Sequence, residues 1–348
     1  MQKRLLVLAI FAVGGIMVAR GSSPAPSAGK VVRLASALSR IVPAGAKIEK
    51  VTTCCKWTEG PIWIHSGYLL FADIRNNRIM KWAPPDKTVV FMRPSGYLGK
   101  APYGGPETGS NGMTLDARGR LTVAGHAQRD VWRLESLRPG AERTILAERY
   151  DGKRLNSPND LVYRADGSLY FTDPPYGLPM QNDRDPHKEL PFNGVYRIPN
   201  ALTHPSGAPP DDAHLQLLIR DLPRPNGIAF SPDQKYLYVD NSQPQKLLMR
   251  YPVKPDGTLG PGIVFADLTS RRAQGSPDGM KIDKKGDIYM AGPGGVWIFA
   301  PSGKPLGRFL MPEVVANLAW GGADARTLYI AATTSVYRIH LEIPGIRP

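Results

Sequence analysis

The sequence predicts an all-β chain folded as a six-bladed β-propeller, and three observations predict it. A short phrase, an oxygen-bearing side chain at a turn followed by an apolar strand, recurs six times. Each copy is followed by a Gly turn and a second apolar or β-branched run. Few segments show helical period, so long helices are not expected. The copies stand about 40 to 65 residues apart, near or above the period of propeller repeats.

The first copy is Thr58-Glu59-Gly60-Pro61-Ile62-Trp63, the second Ser110-Asn111-Gly112-Met113, and the third Pro158-Asn159-Asp160-Leu161. The fourth is Pro225-Asn226-Gly227-Ile228, the fifth Pro277-Asp278-Gly279-Met280, and the sixth, weaker, Ala316-Asn317-Leu318-Ala319. Turns such as Asp116-Ala117-Arg118-Gly119, Ala165-Asp166-Gly167-Ser168 and Asp283-Lys284-Lys285-Gly286 then lead into runs such as Leu169–Thr172 and Ile288–Ala291. Apolar runs bounded by Gly, Asp and Pro are hairpin strands. A four-stranded sheet cannot bury both its faces alone, so blades pack around an axis and leave a channel. With the phrase on the inner strand, Glu59, Asn111, Asn159, Asn226, Asp278 and Asn317 converge there as a ring of oxygens.

Met1-Gln2-Lys3-Arg4 and the apolar stretch Leu5 to Val18 read as an export signal, with Ala19-Arg20-Gly21 as the cleavage region. The stretch is short for a membrane span, which takes roughly 20 residues. The expectation is therefore a signal peptide at 1–21, a flexible linker at 22–30, and one propeller domain at 31–348. The mature protein is expected in the periplasm or outside the cell, without stable membrane insertion. The formal charge is +14, but Lys and Arg are scattered, without a basic run or an RNA-binding signature, so nucleic acid is not expected as a partner. Oligomeric state cannot be read from the sequence. The two cysteines, Cys54 and Cys55, are neighbours; a vicinal disulfide and a pairing between chains are both open.

Carboxylates grouped with Asn carbonyl oxygens are the donors of a hard cation such as Ca²⁺, whereas zinc calls for His or Cys. Rival chemistries lack their signatures: there is no Gly-x-Ser-x-Gly elbow, phosphate-binding loop or dinucleotide fingerprint. Glu59, a carboxylate beside an apolar strand, is expensive to bury without a cation. Asn or Asp before Gly is common turn chemistry, and Asp160, Asp166, Asp233 and Asp283 read as turn formers or strand-end caps. His126 closes a strand of the second blade within reach of the channel. Asp173 and Tyr176 lie in the proline-stiffened turn Thr172-Asp173-Pro174-Pro175-Tyr176-Gly177. With Asn111, these three are the candidate substrate residues.

Glu59-Gly60-Pro61, Leu155-Asn156-Ser157-Pro158-Asn159-Asp160-Leu161, Phe171–Gly177, Pro225-Asn226-Gly227 and Ser276-Pro277-Asp278-Gly279 together resemble the bacterial gluconolactonase branch of the SMP-30/gluconolactonase/LRE family. The resemblance runs from about Ile48 to Leu341. It implies a six-bladed propeller with one divalent cation in the channel, usually Ca²⁺, though another divalent cation is open. The family's metal ligands fall on Glu59, Asn226 and Asp278, and a further Asn at the metal and substrate site falls on Asn159. Vertebrate members carry an Arg shortly before that Asn where this chain has Ser157, so their Arg-dependent sugar contacts do not carry over. The implied activity is hydrolysis of a small-molecule sugar lactone to its aldonic acid, with Asp278 and Asn159 as the catalytic candidates. Two alternatives stand beside it: phosphotriester hydrolysis at the same site, and a propeller that binds sugar without catalysis. Loops Lys100–Gly109 and Met180–Asn193 are candidate lids.

Overall fold

A computed structural model describes residues 27–348 other than Pro139; the expected signal peptide and residues 22–26 of the expected linker lie outside the described residues. The structure is a six-bladed β-propeller, each blade a twisted antiparallel sheet whose strands run in order from channel to rim. Blade 1 holds Thr58–Ile64, Tyr68–Asp73, Arg78–Ala83 and Lys87–Met92, and blade 2 holds Met113–Leu115, Leu121–Gly125, Asp130–Leu134 and Arg143–Ala147. Blade 3 holds Leu161–Tyr163, Leu169–Asp173, Gly194–Ile198 and Gln216–Ile219; blade 4 holds Pro225–Phe230, Tyr236–Asn241, Leu247–Pro252 and Ile263–Asp267. Blade 5 holds Met280–Ile282, Ile288–Gly292, Gly295–Phe299 and Pro305–Leu310, and blade 6 begins with Val315–Gly321, Thr327–Ala332 and Ser335–His340.

The rim strand of blade 6 comes from the other end of the chain. Glu49–Thr53 pairs antiparallel with Ser335–His340, Glu49 opposite Arg338, so the first described segments close the ring against the last. Just before it, Lys30–Arg33 adds a fifth strand to blade 5, with Lys30 opposite Leu310. Residues 27–30, inside the stretch read as linker, are thus tied down, and the Ala28 N–H donates to the Ile48 carbonyl at 2.8 Å. The helical pieces among the described residues are three short 3₁₀ turns, as the lack of helical period predicts.

The apolar core is divided into wedges, one between each neighbouring pair of blades. Alternation along the strands makes them. In blade 1, Ile62 and Ile64 face Met113, Leu115 and Val123 of blade 2, while Trp63 between them faces Ala319 and Tyr329 of blade 6. Because both faces of an inner strand are buried this way, its only remaining direction is the channel.

At the channel the blades approach closely, and this explains the residue after the ring position. A Cβ on Gly60 would strike the Asn111 carbonyl, one on Gly112 would come within 2.6 Å of the Asn159 carbonyl, and one on Gly279 would overlap the Asn317 side chain. Gly60 also sits at φ +50°, a left-handed conformation that favours glycine. The recurring Gly is therefore a contact between blades, not the turn that the local sequence suggests.

Candidate active site in the channel

All six phrases begin the innermost strand of a blade, so the ring positions gather at one end of the channel. Glu59, Asn111, Asn159, Asn226 and Asn317 are buried, and Asp278 is part-buried. Asn317 is the hub. Its Nδ2 donates to Glu59 Oε2 at 3.0 Å and lies 3.5 Å from Asp160 Oδ2, while its Oδ1 accepts from the Leu318 N–H at 2.7 Å. Lys281 Nζ sits 3.9 Å from Asp160 Oδ2 and 3.4 Å from Asn317 Oδ1.

Asp160 corrects its reading as a strand-end cap. One oxygen does accept the Leu161 N–H at 2.9 Å, but the other faces the channel network. Asp166, Asp233 and Asp283 do cap turns, accepting the N–H groups of Ser168, Lys235 and Lys285. The signal that separates Asp160 is its place in the repeat, where four of the other five copies carry Gly.

Blade 4 adds an acid that the sequence reading passed over. Asp240, on the second strand, lies across from the bulge formed by Asn226 and Gly227. It is fully buried, and neither carboxylate oxygen has a hydrogen-bond partner. The Oδ1 atoms of Asn226 and Asn111 are likewise buried without a partner.

These acids repel one another in a site that water hardly reaches. Burial, then Asp160, pushes Glu59 up to about 8, against the opposing pull of the Gly60 N–H, Asn317 and Lys281. Burial, then Glu59, Asp240 and Asp160, raises Asp278 well above the ordinary carboxylate range. Burial raises Asp240 likewise, followed by Asp160 and Glu59, and the nearby Gly227 N–H opposes it without making a hydrogen bond. A positive ion placed among them would invert that logic and hold the carboxylates ionised.

The donor set tests which ion. Among the described residues no group of three or more His, Cys, Asp or Glu side chains is arranged to hold a metal by itself. A cation held here would draw on amide oxygens as well as carboxylates, and the buried Asn226 Oδ1 is without a partner. All are hard oxygen donors, a set that suits a hard divalent cation such as Ca²⁺.

The remaining candidates form the rim. His126 is fully buried; Nδ1 lies 3.1 Å from the Pro158 carbonyl, which can only accept, so Nδ1 carries a proton, and Nε2 lies 2.9 Å from Glu107 Oε2. Glu107 belongs to loop Lys100–Gly109, whose Tyr103 hydroxyl donates to the Gly177 carbonyl. That loop is thus docked onto blades 2 and 3. Tyr176 Oη pairs with Ser242 Oγ at 2.6 Å across blades 3 and 4. Asp173 is fully buried, accepting the N–H groups of Asn156 at 2.8 Å and Ser157 at 2.7 Å and so fixing the approach to Asn159. Cys54 and Cys55 are joined to each other, next to the strand that carries Glu59.

At the other end of the inner strands lies a mostly apolar cavity of about 280 Å³, lined by Ile62, Met113, Leu161, Ile228, Phe230 and Lys281 among others. Lys281 lines this cavity and also reaches Asp160 and Asn317 of the acid ring.

Residues 57–334 match the model of the SMP-30/gluconolactonase/LRE-like region. The chain belongs to this family. A gluconolactonase of Zymomonas mobilis subsp. mobilis is 33% identical over 341 residues, covering 95% of this chain and 92% of that one. Among solved structures, a gluconolactonase from Xanthomonas campestris superposes with a TM-score of 0.75 at 29% identity, covering 93% of this chain and 99% of that one. A calcium-binding protein, regucalcin, from Agrobacterium tumefaciens superposes with a TM-score of 0.66 at 18% identity, covering 86% and 96%. The last shows a shared fold.

Proposed function

We propose that this protein is a Ca²⁺-dependent lactonase that opens a gluconolactone-like sugar lactone to its aldonic acid. The observation that carries the reading is the convergence of the acids Glu59 and Asp278, each raised by burial and by the other acids around it, with the unpartnered amide oxygen of Asn226, in a chain of this family. Membership and the gluconolactonase relatives support lactone hydrolysis as the reaction class.

Glu59, Asn226 and Asp278 would hold the cation, with Asn159 beside them. When bound, it supplies positive charge against the oxyanion that develops as water adds to the lactone carbonyl, and it lowers the pKa of water. Asp278 engages one oxygen with the Gly279 N–H at 3.1 Å, which leaves the other to take a proton from the attacking water. Asn159 orients that water or the lactone oxygen. Asn317 fixes the Glu59 carboxylate through its 3.0 Å hydrogen bond. Loop Lys100–Gly109 is held down through Glu107 and Tyr103.

The test is acid release from glucono-1,5-lactone by chelated protein, then with Ca²⁺ resupplied, after subtraction of spontaneous hydrolysis. Turnover lost on chelation and restored by Ca²⁺ is expected. Turnover unaffected by chelation would overturn the reading.

A further inference from the structure

The six blades repeat one arrangement, so a residue that breaks the repeat stands out. Opposite each ring residue on the second strand lies a small side chain in five blades. Ala72 faces Glu59, Ala331 faces Asn317, and the carbonyls of Ala124, Thr172 and Ala291 accept from the N–H groups of Asn111, Asn159 and Asp278. In blade 4 the same place is held by Asp240. The propeller does not require a carboxylate there.

The position of that carboxylate is specific. A Cβ added to Gly227 would come within 2.5 Å of Asp240 Oδ2 and closer still to the Asp278 carbonyl oxygen. Asp240 therefore sits between the blade 4 and blade 5 members of the ring, behind Asn226 and beside Asp278. It is 0% exposed, and both its oxygens lack partners. Burying an acid without a donor or counter-charge is costly, so a purely architectural role is the reverse of what this environment offers.

We propose that Asp240 is a positioning residue of the channel cation site, supplying from behind Asn226 and Asp278 the negative charge that sets the site's affinity for a divalent cation. The proposal rests on the cation-site reading above. Loss of groups behind the direct ligands typically lowers metal affinity 10–100-fold; Asp240 makes no hydrogen bond to a ligand and acts through its charge.

Two variants test it, Asp240→Asn, which keeps the shape, and Asp240→Ala, which installs the residue found there in four of the other five blades. Ca²⁺ titration calorimetry on the chelated, dialysed full chain gives the affinity, and thermal melts of the same samples give stability without the cation. The expected result is a Ca²⁺ affinity at least about tenfold weaker in both variants, with the cation-free melting temperature unchanged or raised. An unchanged affinity with a lowered melting temperature would overturn the proposal and make Asp240 a scaffold residue. Wild-type protein that binds no Ca²⁺ in the same titration would overturn the cation-site reading itself, and this proposal with it.

Discussion

Blades 3 and 4 each bury an acid on the second strand, one residue out of step, and the two acids lead opposite lives. Asp173 ends its strand and receives two backbone N–H groups, from Asn156 and Ser157, whereas Asp240, one place earlier in its own blade, receives none. The place that matches Asp173 in blade 1 is Asp73, which accepts the N–H groups of Lys56 and Trp57, and in blade 4 it is Asn241, which accepts that of Arg224. Partnered acids at this corner are masonry that fixes the chain just before a ring residue. An unpartnered acid nearby is instead a standing demand for positive charge.

The sharpest way to break this comparison is at the direct ligands. Glu59→Gln and Asp278→Asn should each lower Ca²⁺-dependent lactone turnover on the order of a thousandfold, since several kcal/mol of charge stabilisation depend on them. Turnover within tenfold of wild type in both would remove the ring from the chemistry. On the masonry side, Asp173→Ala leaves two buried N–H groups unpaired and should cost about 2–4 kcal/mol of stability. Its folded fraction should keep a wild-type Ca²⁺ affinity by calorimetry, and a large affinity loss would erase the distinction between the two acids.

Gly227→Ala sharpens the comparison from the backbone, because its methyl would push on Asp240 and on the Asp278 carbonyl together. A loss of about 1–3 kcal/mol is expected for such overpacking, read by denaturant melts, together with weaker Ca²⁺ binding. Gly260→Ala, whose Cβ meets nothing nearer than 3.5 Å, is the control and should leave Ca²⁺ binding as it was.

The smallest effect is on pH. The folded-state pKa of Glu59, about 8, lies above its ordinary 4.5, so the neutral acid is the form the cation-free fold prefers. The stability this contributes is complete below the ordinary value and is lost as pH rises through about 8. Cation binding needs the carboxylate and displaces that proton, so Ca²⁺ affinity should rise with pH until about 8 and then level. The charges of Asp160 and Lys281 act on the same group, the first raising its pKa and the second lowering it. A Ca²⁺ affinity that is flat with pH would contradict it.

How much of this was legible in the sequence divides along the same line. The blades were, because hairpin runs and a repeated phrase are local patterns, and six copies gave six sheets. The ring was legible for the same reason: Glu59, Asn226 and Asp278 stand at matching places in the repeat. The bond from Asn317 to Glu59 is not legible, because its copy of the phrase is weak and its partner is 258 residues away. Asp160 reads as a cap because an Asp before an apolar strand does cap, and its second oxygen shows only in three dimensions. Asp240 carries a signal in the second strands. Aligning second strands, not first strands, sets an acid against Ala, Ala, Thr, Ala and Ala. Lys281 and Glu107 carried none, since a lone Lys on a strand or Glu in a loop is ordinary surface chemistry.

The seam between Glu49–Thr53 and Ser335–His340 has a consequence for how this site comes into being. Glu59 follows the first strand of that seam and Asn317 precedes the last, so their hydrogen bond forms where the chain's two ends are buttoned together. A nascent chain lacking its final blade possesses every acid of blades 1 to 5 and still has no finished mouth to the channel. The keystone arrives last, and cation uptake during refolding would act as a clock for the closing of the circle.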